Sequence, residues 1–198
     1  MGLLDSILGR SKPVRPDLDR LFALPAAALT LQAGTGYVPT GAGSVCFAGV
    51  EGGAFTQLKE EVRELLDVDK RDAGSRVAFT QDAYGYTWLA AHRPADDLVA
   101  LVNDLHAVNT LLEEAGFGPH LLCSLTAFRD TGAAHDLALV YLYKRGTFYP
   151  FAPRSDGSEN RDNTLELQVR ALLAGDLAME PELERWFPVW GAPGLGGT

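Results

Sequence analysis

Hydrophobic positions along the chain recur with two periods. Leu98, Leu101, Val102, Leu105, Val108 and Leu112 are three or four residues apart, the spacing of one helical stripe. Asp96 and Asp97 complement the first turn of that helix, and Gly116 ends it. A second helix is expected over Ala54 to Asp67, with Phe55, Leu58, Val62, Leu65 and Leu66 inward and a charged face from Lys59 to Glu64 outward. Asp17 to Leu24 leads through Pro25, a good first helical residue, into a further helical stretch ending near Leu31. There Leu18, Leu21, Phe22 and Leu29 are expected to face the core. Asn163 with Glu166 has the form of a capping box opening a helix that carries Leu165, Val169, Leu172 and Leu173 and stops at Gly175.

The second period is two. In Leu137 to Tyr143 both alternating sets are apolar, so the segment reads as a strand buried on both faces in the middle of a sheet. Gly146 releases the chain into Phe148, Tyr149 and Phe151, which alternate with Pro150 and Pro153 and mark a sheet edge or an aromatic loop. Leu121 to Phe128 is the expected hairpin partner, joined through the Asp130-Thr-Gly132 turn. Arg76 to Thr80 and Tyr84 to His92 read as another hairpin, and Ser44 to Phe47 as a short strand after a glycine-punctuated loop over residues 34–43. Hairpin followed by helix, repeated, predicts an α+β fold. Its single antiparallel sheet is built from β-hairpin–helix units with helices packed on one face, a layout similar to the type III secretion chaperone-like fold.

Three regions are expected. Residues 1–15 form an amphipathic N-terminal segment and linker, in which Leu3, Leu4, Ile7 and Leu8 share one helical face beside Arg10, Lys12 and Arg15. Such a segment suits an anionic membrane surface or an acidic partner. Residues 16–190 form one globular domain, and 191–198 a flexible tail.

The net charge of -9 argues against a polyanionic partner, because nucleic-acid affinity rests on Lys and Arg neutralising phosphates. No apolar run reaches the length needed to cross a bilayer, and the first residues lack the pattern of a signal peptide, so a cytoplasmic location is expected, with peripheral contact at the inner face of the membrane. Cys46 and Cys123 are far apart in the chain, without metal-ligand spacing, and read as small buried hydrophobes. His92, His106, His120 and His135 form no ligand pattern. His106 has Asp104 and Asn109 near it in sequence, but residues two apart on a helix diverge. No catalytic, cofactor-binding or metal-binding set emerges, and the expectation is a protein that is not an enzyme. The candidate partner-binding residues are Leu3, Leu4, Ile7 and Leu8 at the start, and Lys144, Arg145, Phe148, Tyr149 and Phe151 around the aromatic turn. With Arg154, Arg161 and Arg170, the two cations would grip an acidic group if all converged.

Longer strings carry a resemblance. Gly43-Ser-Val-Cys-Phe47, Asp82-Ala-Tyr-Gly-Tyr-Thr-Trp88, Asp104-Leu-His-Ala-Val-Asn109, Leu139 to Pro153, Arg161-Asp-Asn163 and Trp186-Phe-Pro-Val-Trp-Gly191 together resemble the PspA-associated PspAB family over nearly the whole chain. The resemblance implies an accessory or adaptor of a phage-shock envelope-stress system in actinobacteria and beyond, with a PspA-like protein or an HtpX-like membrane protease as partner. It implies no catalytic residue. Two alternatives remain open: a small-ligand-binding protein or enzyme with a pocket near the aromatic turn, and a chaperone-like module holding a client segment.

Overall fold

The structure is a computed structural model that describes residues 16–48, 52–67, 78–132, 135–154 and 159–195. Leu3, Leu4, Ile7 and Leu8 lie outside the described residues. A single six-stranded antiparallel sheet runs in the order β2-β3-β1-β4-β5-β6, with β1 Tyr37–Phe47, β2 Ala78–Gln81, β3 Thr87–His92, β4 Leu121–Asp130, β5 Asp136–Leu142 and β6 Thr147–Phe151. Helices α1 Leu24–Thr35, α2 Gly53–Asp67, α3 Leu98–Leu112 and α4 Asn163–Leu173 accompany it, and a 3-10 turn, Leu18–Ala23, leads into α1.

The helices cover one face. All six residues of the α3 stripe are buried, and they meet Val45, Phe47, Leu89, Leu139 and Tyr141 from the sheet. Asp97 caps α3 by accepting from the Ala100 amide at 3.0 Å. α4 is capped by Asp162, which accepts from the Leu165 amide, one residue before the expected cap. Glu166 is drawn away from a capping role because it is buried and accepts from the Ala152 amide and Arg161. Near the start, Phe22 and Leu29 are exposed, at 47% and 70%, rather than inward. The 3-10 geometry of residues 18–23 rotates the face set by a uniform 3.6-residue period, and Phe22 lies tilted against the His106 ring instead.

The opposite face of the sheet is buried too. Trp186, Val189 and Ala192 lie over Leu125, Val140, Tyr149 and Phe151, so the end of the chain forms a strap. Of residues 191–198, expected as a flexible tail, Ala192 is fully buried in this packing and Leu195 packs against it. A sheet covered on both faces explains why β5 is apolar on both sides although β6 places it next to the edge.

The largest departure is β1, which extends through the residues expected as a loop. Gly41 adopts φ +78, and a Cβ there would lie 2.0 Å from the Arg93 carbonyl oxygen. The Gly41 carbonyl accepts from the Arg93 amide at 2.8 Å. Glycine therefore permits a backbone approach and an irregular stretch between Pro39 and Gly43 without ending the strand.

Candidate functional site

On the strap-covered face, one end of the sheet remains open as a groove with a cavity of about 680 Å³. Its floor is one rung of the sheet: Trp88 is opposite Cys46, Cys46 opposite Cys123, and Cys123 opposite Leu142. Tyr149 on β6 completes the floor.

The first wall is the β2–β3 turn, organised by a single carboxylate. Asp82 accepts from the amides of Tyr84 and Tyr86 and from the Trp88 indole, each at 2.9 Å. This locks the turn in a shape that leaves Tyr84 69% and Tyr86 42% exposed. The second wall is the strap. Tyr149 Oη donates to the Phe187 carbonyl at 2.8 Å, Arg161 donates to the Trp186 carbonyl, and the Trp186 indole donates to the Glu180 carbonyl at 3.2 Å. The Trp186 ring stacks on Tyr149, and Trp190 meets Phe151 edge-on. Fixed by its backbone, the strap leaves the Phe187 side chain 60% exposed at the rim.

Charge at the groove is local and largely committed. The fully buried Glu180 carboxylate accepts from Arg145 and from Thr147 Oγ1, the latter at 2.6 Å. Burial works to raise its pKa, but these bonds and that from the Glu182 amide outweigh it and hold the carboxyl below the ordinary value. Glu182 pairs with both Arg145 and Arg185. Burial raises the Tyr149 phenol well above its usual range. A hydrogen bond with Cys123, then burial, pushes the Cys46 thiol up.

The sequence candidates separate into different places. Lys144 is exposed at the rim and Tyr149 is in the floor, while Arg145 lines the groove but is engaged by Glu180 and Glu182. Phe148 and Phe151 are buried, Phe148 against Tyr141 among the helices and Phe151 beneath Trp190. Both rings are enclosed because β6 is a true strand whose alternate residues enter the two cores. Arg161 and Arg170 serve the strap, the first through Trp186 and Glu166 and the second over the Trp186 ring, so no cationic cluster forms with Arg145. Around α3, His106 approaches Asp19, Asp104 pairs with Arg93, and Asn109 binds Ser124, so these three diverge as helical spacing requires.

The exposed aromatic residues of the groove are instead Tyr84, Tyr86 and Phe187. Tyr84 and Tyr86 were expected in a strand; the Asp82-x-Tyr-Gly-Tyr spacing, with Gly85 at φ +84, is the local signal for the turn that presents them. The adjacency of Cys46 and Cys123 had no signal in the sequence, since only the strand register creates it.

No helix among the described residues is long and apolar enough to cross a membrane. No curated protein and no solved structure matches the chain at a significant level. The sequence model of the PspAB family, described as PspA associated protein B, matches residues 1–194. The groove-forming turn, the rung and the strap all fall inside that match, and the chain belongs to the PspAB family of PspA-associated proteins.

Proposed function

We propose that the protein is a non-enzymatic adaptor of a PspA-type phage-shock envelope-stress system, and that its groove receives a segment of a PspA-like protein. The observation that carries this reading is the set of three aromatic side chains, Tyr84, Tyr86 and Phe187, left exposed around an apolar floor by two walls rigidly held from behind. Large aromatics held in place lose little conformational freedom on contact and are frequent binding anchors. The family's description as PspA-associated supports a PspA-like protein as that partner. Lys144 at the rim adds one charge-steering contact. The amphipathic face of Leu3, Leu4, Ile7 and Leu8 acts as a second contact, on the partner or on the inner membrane surface.

The test is binding of the full-length chain to its purified PspA-like partner, comparing wild type with Tyr84→Ala/Phe187→Ala. Two rim anchors at about 1–2 kcal/mol each predict a loss of at least about 30-fold in affinity, with an unchanged melting temperature. Equal affinity in the two proteins removes the groove from the interaction. Binding to a purified HtpX-like protease, with none to the PspA-like protein, reassigns the partner.

The cavity volume favours one second reading, since about 680 Å³ falls within the range of small-molecule sites. Retention of a small apolar molecule by the natively purified protein, with no affinity for a PspA-like partner, selects that reading.

A further inference from the structure

Cys46 and Cys123 stand directly opposite each other on β1 and β4. Both are free, both line the groove, and both are nearly enclosed, at 4% and 7% exposure. Opposed residues of an antiparallel pair hold their Cα atoms about 4.5–5.5 Å apart, within the span of about 4.4–6.8 Å that a disulfide bridges. The β1–β4 register breaks between Cys46 and Phe47, immediately beside the pair. An irregular ladder there gives the two backbones a freedom of adjustment that a regular central pair lacks.

We propose that Cys46 and Cys123 form a reversible cross-strand disulfide in the floor of the groove, driven by a two-electron oxidant of the peroxide class that enters through the cavity. One thiolate attacks a peroxide oxygen, breaking the O–O bond and forming an S–O bond as hydroxide leaves. The second thiolate attacks the sulfenic sulfur, breaking the S–O bond and forming the S–S bond as a second hydroxide leaves. The two thiol protons convert these hydroxides to water, so two thiols and one hydrogen peroxide give one disulfide and two waters. The hydrogen bond between the thiols, and their burial, keep Cys46 protonated. Attack by Cys46 on peroxide therefore accelerates as pH rises. Trp88 lies opposite Cys46 on β3. A disulfide formed beside an indole quenches its fluorescence, so the event has an optical signature. Disulfide formation here requires nothing of what the groove binds.

The experiment exposes the folded full-length protein to hydrogen peroxide at mildly alkaline pH, alkylates the remaining thiols, and maps the digest by mass. The expected result is an intact-mass loss of about 2 Da, no alkylated cysteine, a cross-linked Cys46–Cys123 peptide, and lowered tryptophan emission. Dithiothreitol reverses all four. The Cys46→Ser protein, checked for fold by circular dichroism, is expected to gain oxygen at Cys123 without losing mass. Two fully alkylated thiols, after an exposure that oxidises the urea-unfolded chain, would overturn the proposal. So would oxygen adducts on both cysteines without a cross-link, or intermolecular disulfide dimers as the only bonded product.

Discussion

Arg145 and Glu180 form a two-pronged ion pair, with Nε and Nη2 donating to the two carboxylate oxygens at 2.9 and 3.0 Å. Glu180 is fully buried while Arg145 keeps 28% of its side chain exposed, so the pair joins the β5–β6 turn to the approach of the strap at the edge of the groove. Removing Arg145 strands a carboxylate in the interior. Arg145→Ala is expected to lower unfolding free energy by about 3 kcal/mol, whereas Lys144→Ala, at an exposed neighbour, shifts it by less than about 0.5 kcal/mol. Urea denaturation of the two variants checks the contrast.

The same pair sets a pH response. Because the folded state holds the Glu180 carboxyl below its ordinary value, the unfolded chain binds the proton more readily. Its contribution to stability is therefore present above the unfolded carboxylate pKa and lost as pH falls through the lower folded value. Glu166 behaves oppositely. Burial, only partly offset by Arg161 and the Ala152 amide, raises its pKa, so the folded state binds the proton more readily. Its contribution is fully present below the unfolded pKa and lost as pH rises through the folded one. Relative to Glu166→Gln, the wild type should gain stability as pH falls from neutral toward the unfolded carboxylate pKa; a series of urea melts across that interval measures the difference.

Arg161 holds the strap from beneath. It donates to the Trp186 and Pro150 carbonyls and to Glu166, and its guanidinium lies 5.1 Å from the centre of the Phe151 ring. Arg161→Ala leaves the buried Glu166 without its cation and the strap without its anchor. A loss of about 3 kcal/mol is expected, with a red shift in tryptophan emission and faster proteolysis after residue 185 than in wild type. Unchanged emission together with unchanged proteolysis would show that the strap is held without Arg161.

Much of the architecture was legible because burial imposes a period. The α3 stripe is legible from spacing alone, as is the two-sided burial of β5, since the six stripe residues and Leu137 to Leu142 are all buried. β1 was not, because Pro39, Gly41 and Gly43 are turn-forming types, and the two glycines here let other backbone and side chains approach. The same limit hid the site. Tyr149 was legible as an important aromatic, but its neighbours Phe148 and Phe151 turn into cores that sequence distance does not reveal. The rung of Trp88, Cys46, Cys123 and Leu142 joins four segments whose proximity exists only through register. Arg145 was visible as a cation, while its partner Glu180 lies 35 residues onward, too far for any local pattern to announce.

Gly41 gives a direct test of the extended β1. A methyl group there meets a carbonyl oxygen at 2.0 Å on a backbone of positive φ, and both the ladder to β4 and the crossing of residues 93–95 stand in the way of relief. Gly41→Ala is expected to cost at least about 2 kcal/mol by calorimetry or urea melt. Gly85→Ala, also at positive φ but with open space around the added methyl, carries the conformational strain alone and should cost about 1 kcal/mol. Equal losses at the two positions would mean that residues 37–43 do not pack as a strand against Arg93.

The N-terminal segment separates association from folding. Starting the chain at Val14 removes Leu3, Leu4, Ile7 and Leu8 and keeps every described residue whose burial forms the two cores. The domain should melt within about 2 °C of the full-length protein, because both described cores keep all their residues. Association with a PspA-like partner should weaken by at least tenfold, since four apolar side chains carry a few kcal/mol of burial even at partial coverage, on the order of 1.4 kcal/mol or more of it specific to the complex. Combining the truncation with Tyr84→Ala/Phe187→Ala then decides how the contacts are arranged. Additive losses mean that the segment and the groove engage separate parts of the partner, whereas a double loss no larger than either single one means that both serve the same contact.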